Sequence, residues 1–286
     1  MTYDLIIIGG GPAGSAAAVY AARKRLKTLL ITLEWGGQSV VSEQIFNWIG
    51  TPSISGNDLA LNFKKHVLAN TGDSLEIHEG EKVIGVKVAE ALLPPEGGSK
   101  ASATLFSVKT ESGKEFSTKT ILIATGSGRR KLTAKNADLL EHKGLTYCAS
   151  CDGPLFDGMD VAVIGGGNAA FESAAQLLAY CKSVTLINRS NVFRADAITV
   201  EKVLSNPKMK AIKNADILEI KGDKFVDGLI YKDKISGEEK KLDVSGIFVE
   251  IGQIPATDFA KGLLPLDEIG RIKIDAWSQK TEVPGI

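Results

Sequence analysis

Residues Tyr3–Gly14 read YDLIIIGGGPAG, an apolar, β-branched run that breaks into glycines. An alanine-rich stretch with helical character follows to about Arg25, and a second apolar run occupies Thr28–Thr32. Strand, glycine turn, helix and strand in that order make the βαβ unit of a parallel sheet. Within the turn, G-x-G-x-x-G falls on Gly9, Gly11 and Gly14. The first glycine permits the tight turn, the second lets a diphosphate approach the backbone, and the third lets helix and sheet pack closely. Pro12 suits the first helical turn, where its missing N–H costs nothing. The helix start offers unpaired N–H groups and partial positive charge to an anion. Glu34 stands about 20 residues on, where an acid would bond a ribose hydroxyl. The four features together fit a dinucleotide better than an ordinary glycine turn.

The same design recurs. Val161–Ile164 leads into GGGNAA (Gly165–Ala170), a helical stretch to about Tyr180, and the apolar run Ser183–Ile187. The fingerprint here is the G-x-G-x-x-A variant on Gly165, Gly167 and Ala170. After the second strand stand Asn188, Arg189, Ser190 and then Arg194, with no carboxylate. A carboxylate there would repel the extra phosphate of NADP and arginines would pair with it, so the pattern favours NADP over NAD. Two such units far apart predict two dinucleotide sites. The fold class is α/β, with two Rossmann-like dinucleotide-binding domains.

The 286 residues are 44% hydrophobic and 24% charged, enough for roughly two domains. Formal net charge is zero, which argues against nucleic-acid or anionic-membrane partners. No apolar run approaches the ~20 residues of a membrane span, and no secretory leader is legible at the start. These features predict a cytoplasmic protein. Between the two βαβ units, Leu105–Thr110 and Glu115–Thr118 flank a turn at Ser112-Gly113, and Thr120–Ala124 continues as a strand. Pro94–Lys100 has loop composition, and Ile217–Ile235 reads as a meander with turns at Gly222-Asp223 and Asp227-Gly228.

Two of the three cysteines form Cys148-Ala149-Ser150-Cys151, followed by Asp152. One turn of backbone brings such a pair within disulfide range and commonly lowers one thiol's pKa. A carboxyl directly after the pair is placed to move the proton that thiol–disulfide exchange requires. Zinc competes for this motif but needs four ligands. There is no second C-x-x-C, and His66, His78 and His142 are scattered, so no metal site is expected. Cys181 falls on one helical face with Ala170, Ala174 and Leu177, which suits a core cysteine.

Over nearly its whole length the chain resembles the low-molecular-weight thioredoxin reductases. The resemblance rests on GGGPAG, GGQ at Gly36–Gln38, Asn47-Trp48, ATG at Ala124–Gly126 and CASCDG at Cys148–Gly153. It continues through GGGNAA, NRSNVFR at Asn188–Arg194 and G-x-x-P-x-T at Gly252–Thr257. It implies an FAD domain from residues 1–128 and 246–286, with a nicotinamide domain, residues 129–245, inserted between. Gly126, Gly128 and Gly246 would be the hinges for rotation between half-reactions. By resemblance, Gly9, Gly11, Pro12, Ala13, Gly14, Glu34, Gly36, Gly37, Gln38, Asn47, Thr125 and Gly126 bind FAD. Gly165, Gly167, Asn168, Ala170, Arg189 and Arg194 bind NADPH. Cys151 faces the flavin, Cys148 attacks the partner disulfide and Asp152 is the acid/base. The implied partner is thioredoxin or a thioredoxin-like dithiol protein, and the implied assembly a homodimer.

The departures carry expectations too. The family's HRR motif is Asn188-Arg189-Ser190 here, and Pro154-Leu155 replace aromatics that touch thioredoxin. Val283–Ile286 ends where the family continues into a strand and a Gly-Asp segment at the flavin. The expectation is a truncated copy, with an uncovered apolar sheet face and poor FAD retention. The alternatives are a dithiol oxidase or a reductase with another donor, and a non-enzymatic nucleotide-binding remnant.

Overall fold

The computed structural model describes residues 1–42, 44–92 and 103–286; the expected Pro94–Lys100 loop lies outside them. The chain forms two compact units, Met1–Gly128 with Ile254–Ile286, and Arg129–Gln253.

In the first unit, β1 (Thr2–Gly10) leads through α1 (Pro12–Arg23) into β2 (Thr28–Trp35). Then follow α2 (Gly56–Leu68), β3 (Leu75–Glu79), β4 (Val83–Leu92), β5 (Ala103–Thr110) and β6 (Glu115–Ile123). The six-stranded sheet has the order β3-β2-β1-β6-β5-β4. β1 pairs in parallel with β2 and β6, whereas β5 runs antiparallel to β6 across the Ser112-Gly113 turn. Strand side chains alternate between faces, and β1 is buried on both. Ile7 joins Ala18, Val19, Leu30 and Ala60 on the side of α1 and α2, while Ile6 and Ile8 join Leu29, Ile31 and Phe106 on the other. That second face also holds Phe259, Ala260 and Leu264, with Val283 and Ile286 packed against it. On this face Ile6 and Leu29 are fully buried, whereas Leu122 of β6, beside Ile7 on the opposite face, is exposed.

The chain leaves the first unit within β7 (Ser127–Arg129). The second unit begins with β8 (Leu145–Thr146), α3 (Ala149–Asp152), β9 (Asp160–Ile164) and α4 (Asn168–Leu177). It continues with β10 (Ser183–Ile187), α5 (Ala197–Leu204) and β11 (Met209–Ile212). A meander of β12 (Ala215–Gly222), β13 (Val226–Asp233) and β14 (Glu239–Leu242) precedes β15 (Gly246–Val249). The parallel sheet has the order β11-β10-β9-β15-β8. The chain returns to the first unit within β16 (Gln253–Pro255), and β7 and β16 form a two-stranded sheet.

Two expectations are corrected here. Asp227-Gly228 is no turn: both residues lie inside β13, and Gly228 pairs with Lys221. A glycine suits that position because a Cβ would press on the Leu242 carbonyl of β14. The second boundary moves from Ser245/Gly246 to Gln253/Ile254, because Gly246 opens a strand that pairs with β9 and β8. Gly246 is buried, and a Cβ on it would overlap the Phe156 ring. Gly246→Ala is therefore expected to destabilise the protein by about 1–3 kcal/mol through overpacking. Urea unfolding measures this, and an unchanged midpoint would restore the hinge reading of Gly246.

Candidate active site and nucleotide-binding turns

The three glycines of the first turn meet different surroundings. Gly9 has φ +114° and a Cβ there would strike the Ala124 carbonyl, while one on Gly14 would strike the carbonyl of Gly9. Both positions are closed by backbone. Gly11 differs: a Cβ there would meet only the Cα of Gly37, at 3.9 Å. The start of α1, with Pro12 at its first turn, is thus open on the side where Gly37 approaches. The Gly36 N–H donates to the Gly10 carbonyl at 3.0 Å, which ties the Gly36–Gln38 segment to the turn.

On the other flank, the Ala124 N–H donates to the Ile8 carbonyl at 2.8 Å and carries Thr125 and Gly126 alongside. Glu34 is exposed near the carboxyl end of β2, next to Trp35, which pairs with Gly10. Gln38 and Ala13 are exposed as well. Asn47 lies on the loop closed by the Ile45–Ile54 pair; among the described residues no hydrogen bond joins it to the glycine turn. A turn packed at Gly9 and Gly14 and open at Gly11 is what a diphosphate needs. The residues present fit such a group.

The second turn repeats the pattern. Gly165 has φ +152°, and a Cβ would strike the Glu250 carbonyl and crowd the buried Ala170; Gly167 has nothing within 4 Å. Arg194 donates its N–H to the Gly166 carbonyl at 2.7 Å, and Asn168 Oδ1 accepts from the Asp196 N–H at 2.8 Å. These bonds hold the loop after β10 over the turn, with Arg189 and Arg194 exposed. The sequence reading missed what Asn188 does. Its buried amide donates to the Ser190 and Val192 carbonyls at 3.0 and 2.9 Å and so shapes the loop that carries both arginines.

Cys148 and Cys151 are joined in a disulfide with their Cα atoms 5.3 Å apart. The pair lies just past the carboxyl end of β8, the edge strand next to β15. Cys148 precedes α3, and its Sγ accepts from the Cys151 N–H at 3.2 Å. Ser150 Oγ donates to Gln176 Oε1 at 2.9 Å, fastening α3 to α4. Thr146 is a second residue that the sequence reading passed over. Buried at the end of β8, it donates its hydroxyl to Asp152 Oδ2 and accepts from the Cys148 N–H at 3.4 Å. One side chain thus fixes both the carboxyl and the backbone of the first cysteine. Its only sequence signal was position, a hydroxyl two residues before the pair.

Cys181 is fully buried among Ala170, Ala174 and Leu177, and burial pushes its thiol up to about 11. His142 is exposed and faces Glu141. Among the described residues, no three His, Cys, Asp or Glu side chains converge as a metal site requires, and no helix is long and apolar enough to cross a membrane.

Comparison with known proteins agrees with this geometry. A family described as pyridine nucleotide-disulphide oxidoreductase matches residues 3–286. The NADH dehydrogenase of Bacillus subtilis (strain 168) is 33% identical over 284 residues, 99% of this chain and 52% of its own. An alkyl hydroperoxide reductase component from Xanthomonas campestris pv. phaseoli is 36% identical over 285 residues, 99% of this chain and 51% of its own. The chain thus spans about half the length of the curated relatives it matches. Among solved structures, thioredoxin reductase from Giardia duodenalis superposes with TM-score 0.86 at 30% identity, covering 99% of this chain and 88% of that one. With the matched family spanning both glycine turns and the cysteine pair, the chain belongs to the pyridine nucleotide-disulphide oxidoreductases.

Proposed function

We propose that the chain is the electron-transferring part of an NADPH-dependent flavin disulfide reductase. Its acceptor is a protein disulfide of the thioredoxin type. The observation that carries this reading is the Cys148–Cys151 disulfide beside Asp152, on the same sheet rim as an open dinucleotide turn. In this reading FAD is held at Gly9, Gly11, Pro12, Ala13 and Gly14, with Glu34, the Gly36–Gln38 segment, Asn47, Thr125 and Gly126 around it. NADPH is held at Gly165, Gly167, Asn168 and Ala170, with Arg189 and Arg194 on its extra phosphate. Bound FAD would take two electrons as hydride from the nicotinamide and deliver them to the disulfide.

The chain's own residues then act on the partner. Cys148, released as thiolate, attacks one sulfur of the partner disulfide and forms a mixed disulfide; the partner's other sulfur leaves and takes up a proton. Cys151 attacks Cys148 Sγ, re-forms the pair and frees the partner's second thiol. Asp152 holds and moves the protons of these steps. The Cys151 N–H aimed at Cys148 Sγ supports giving Cys148 the attacking role, because it would stabilise that thiolate.

A second reading follows from the relatives named for alkyl hydroperoxide reductase, 36% and 38% identical to this chain. There the acceptor belongs to a peroxide-reducing system. The relative named NADH dehydrogenase likewise makes NADH the competing donor. One set of assays separates these readings. Protein reconstituted with FAD is expected to bleach with NADPH and to reduce thioredoxin. Replacing both arginines (Arg189→Ala with Arg194→Ala) is expected to raise the KM for NADPH about ten- to a hundred-fold and to leave that for NADH unchanged. Faster bleaching by NADH in the unaltered protein would overturn the donor assignment. Turnover with peroxide and a peroxidase but not thioredoxin would favour the second acceptor.

A further inference from the structure

Glu250 has no place in the chemistry above, yet its position is unusual for a carboxylate. It directly follows β15, and its N–H donates to the Ile164 carbonyl at 2.8 Å, extending the ladder to the last residue of β9. Its own carbonyl is the group that closes over Gly165. Its side chain is part-buried, and Oε1 accepts from Ser173 Oγ of α4 at 2.7 Å. Among the described residues no other hydrogen bond to this carboxylate is present, so the second oxygen is left for another donor. Burial pushes its pKa up; Ser173 and the Arg129 guanidinium oppose that shift, and Glu172 adds to it.

The strand order gives this position a meaning. From β9 the chain runs to β10 and β11 on one side, and β15 and β8 lie on the other. The order reverses between β9 and β15, and open α/β sheets bind ligands in that crevice at the carboxyl ends of the strands. The loop with Arg189 and Arg194 follows β10, so a dinucleotide with its adenosine phosphate there lays its other half toward β15. The carboxyl ends met in sequence across the rim are then Asn188, Gly165, Glu250 and the cysteine pair. A side chain at Glu250 stands between the diphosphate turn and the disulfide, on the path of the nicotinamide half.

We propose that Glu250 is a binding residue for the nicotinamide–ribose half of the donor. It accepts a hydrogen bond from that half's N–H or O–H groups, with Ser173 as the positioning residue that sets its rotamer. The assignment rests on the nucleotide reading above. Leaving the second oxygen of Glu250 without a donor in the bound state would waste an acceptor that the nucleotide desolvates, and a charged acceptor gains more than a neutral one from such a bond.

The test compares a whole dinucleotide with its adenosine half. Binding of NADPH, and of adenosine bisphosphate lacking the nicotinamide, is measured by calorimetry for the unaltered chain, Glu250→Gln, Glu250→Ala and Ser173→Ala. NADPH is expected to weaken about ten-fold or more in Glu250→Ala and less in Ser173→Ala. Glu250→Gln should fall between Glu250→Ala and the unaltered chain, since its amide oxygen still accepts. Adenosine bisphosphate should bind all four proteins equally, which also verifies that the variants fold. Equal weakening of both ligands, or no change in either, would overturn the role of Glu250 and leave the nucleotide site standing. Failure of the unaltered chain to bind either ligand would instead overturn the nucleotide reading, and the Glu250 assignment with it.

Discussion

Cys148→Ser is expected to lower reduction of a protein disulfide by roughly a thousand-fold or more, while donor-driven bleaching of bound flavin persists. The two cysteines are one backbone turn apart and make a single redox unit, so removing either leaves no intramolecular disulfide to regenerate. The two losses differ in kind. Cys151→Ser keeps the attacking thiol and removes the one that resolves the mixed disulfide, so the partner should remain covalently attached through Cys148. Cys148→Ser should trap nothing. Non-reducing electrophoresis with an oxidised thioredoxin reads both outcomes directly. A stable adduct on Cys148→Ser and none on Cys151→Ser would reverse the division of labour.

Asp152→Asn is the second large effect, expected at about a hundred-fold in turnover with a protein disulfide. Asparagine keeps the size of the side chain and loses the proton-carrying oxygen. The disulfide should still form, and loss of the disulfide itself would mean that Asp152 serves folding instead. Thr146→Val tests the support beneath it. The hydroxyl contacts both the Asp152 carboxyl and the Cys148 N–H, so its removal frees the acid and takes the acceptor from a part-buried donor. Rescue by Thr146→Ser, which keeps the hydroxyl, distinguishes positioning from packing. A turnover unchanged in Thr146→Val would show that Asp152 is held by other means.

Much of the fold could be read from periodicity and glycine placement. Ser183–Ile187 has the same bounds as strand β10, and the hairpin at Ser112-Gly113 joins β5 to β6. These are local patterns: alternation, a turn dipeptide, a strand running into a glycine turn. What escaped depended on contacts distant in sequence. Gly246 reads as a hinge until Phe156, ninety residues earlier, is found against it. Gly228 reads as a turn because Asp-Gly is a turn dipeptide, yet β14 pairs with the same strand and holds it extended. At the site, the glycines and Cys148 with Cys151 announce themselves by residue type and spacing. Thr146, Asn188 and Glu250 do not, because a threonine, an asparagine and a glutamate are ordinary residues until their partners are known.

The contrast between the three cysteines has a practical outcome. Two are locked in a disulfide near a strand end, and the third, Cys181, is sealed in the core of the second unit with a thiol poorly ionised at neutral pH. After gentle reduction, an alkylating reagent should therefore modify two sulfurs quickly, and the last only when that core opens. The chain carries its own stopwatch: the slow labelling phase times the opening of the second unit, with no residue changed.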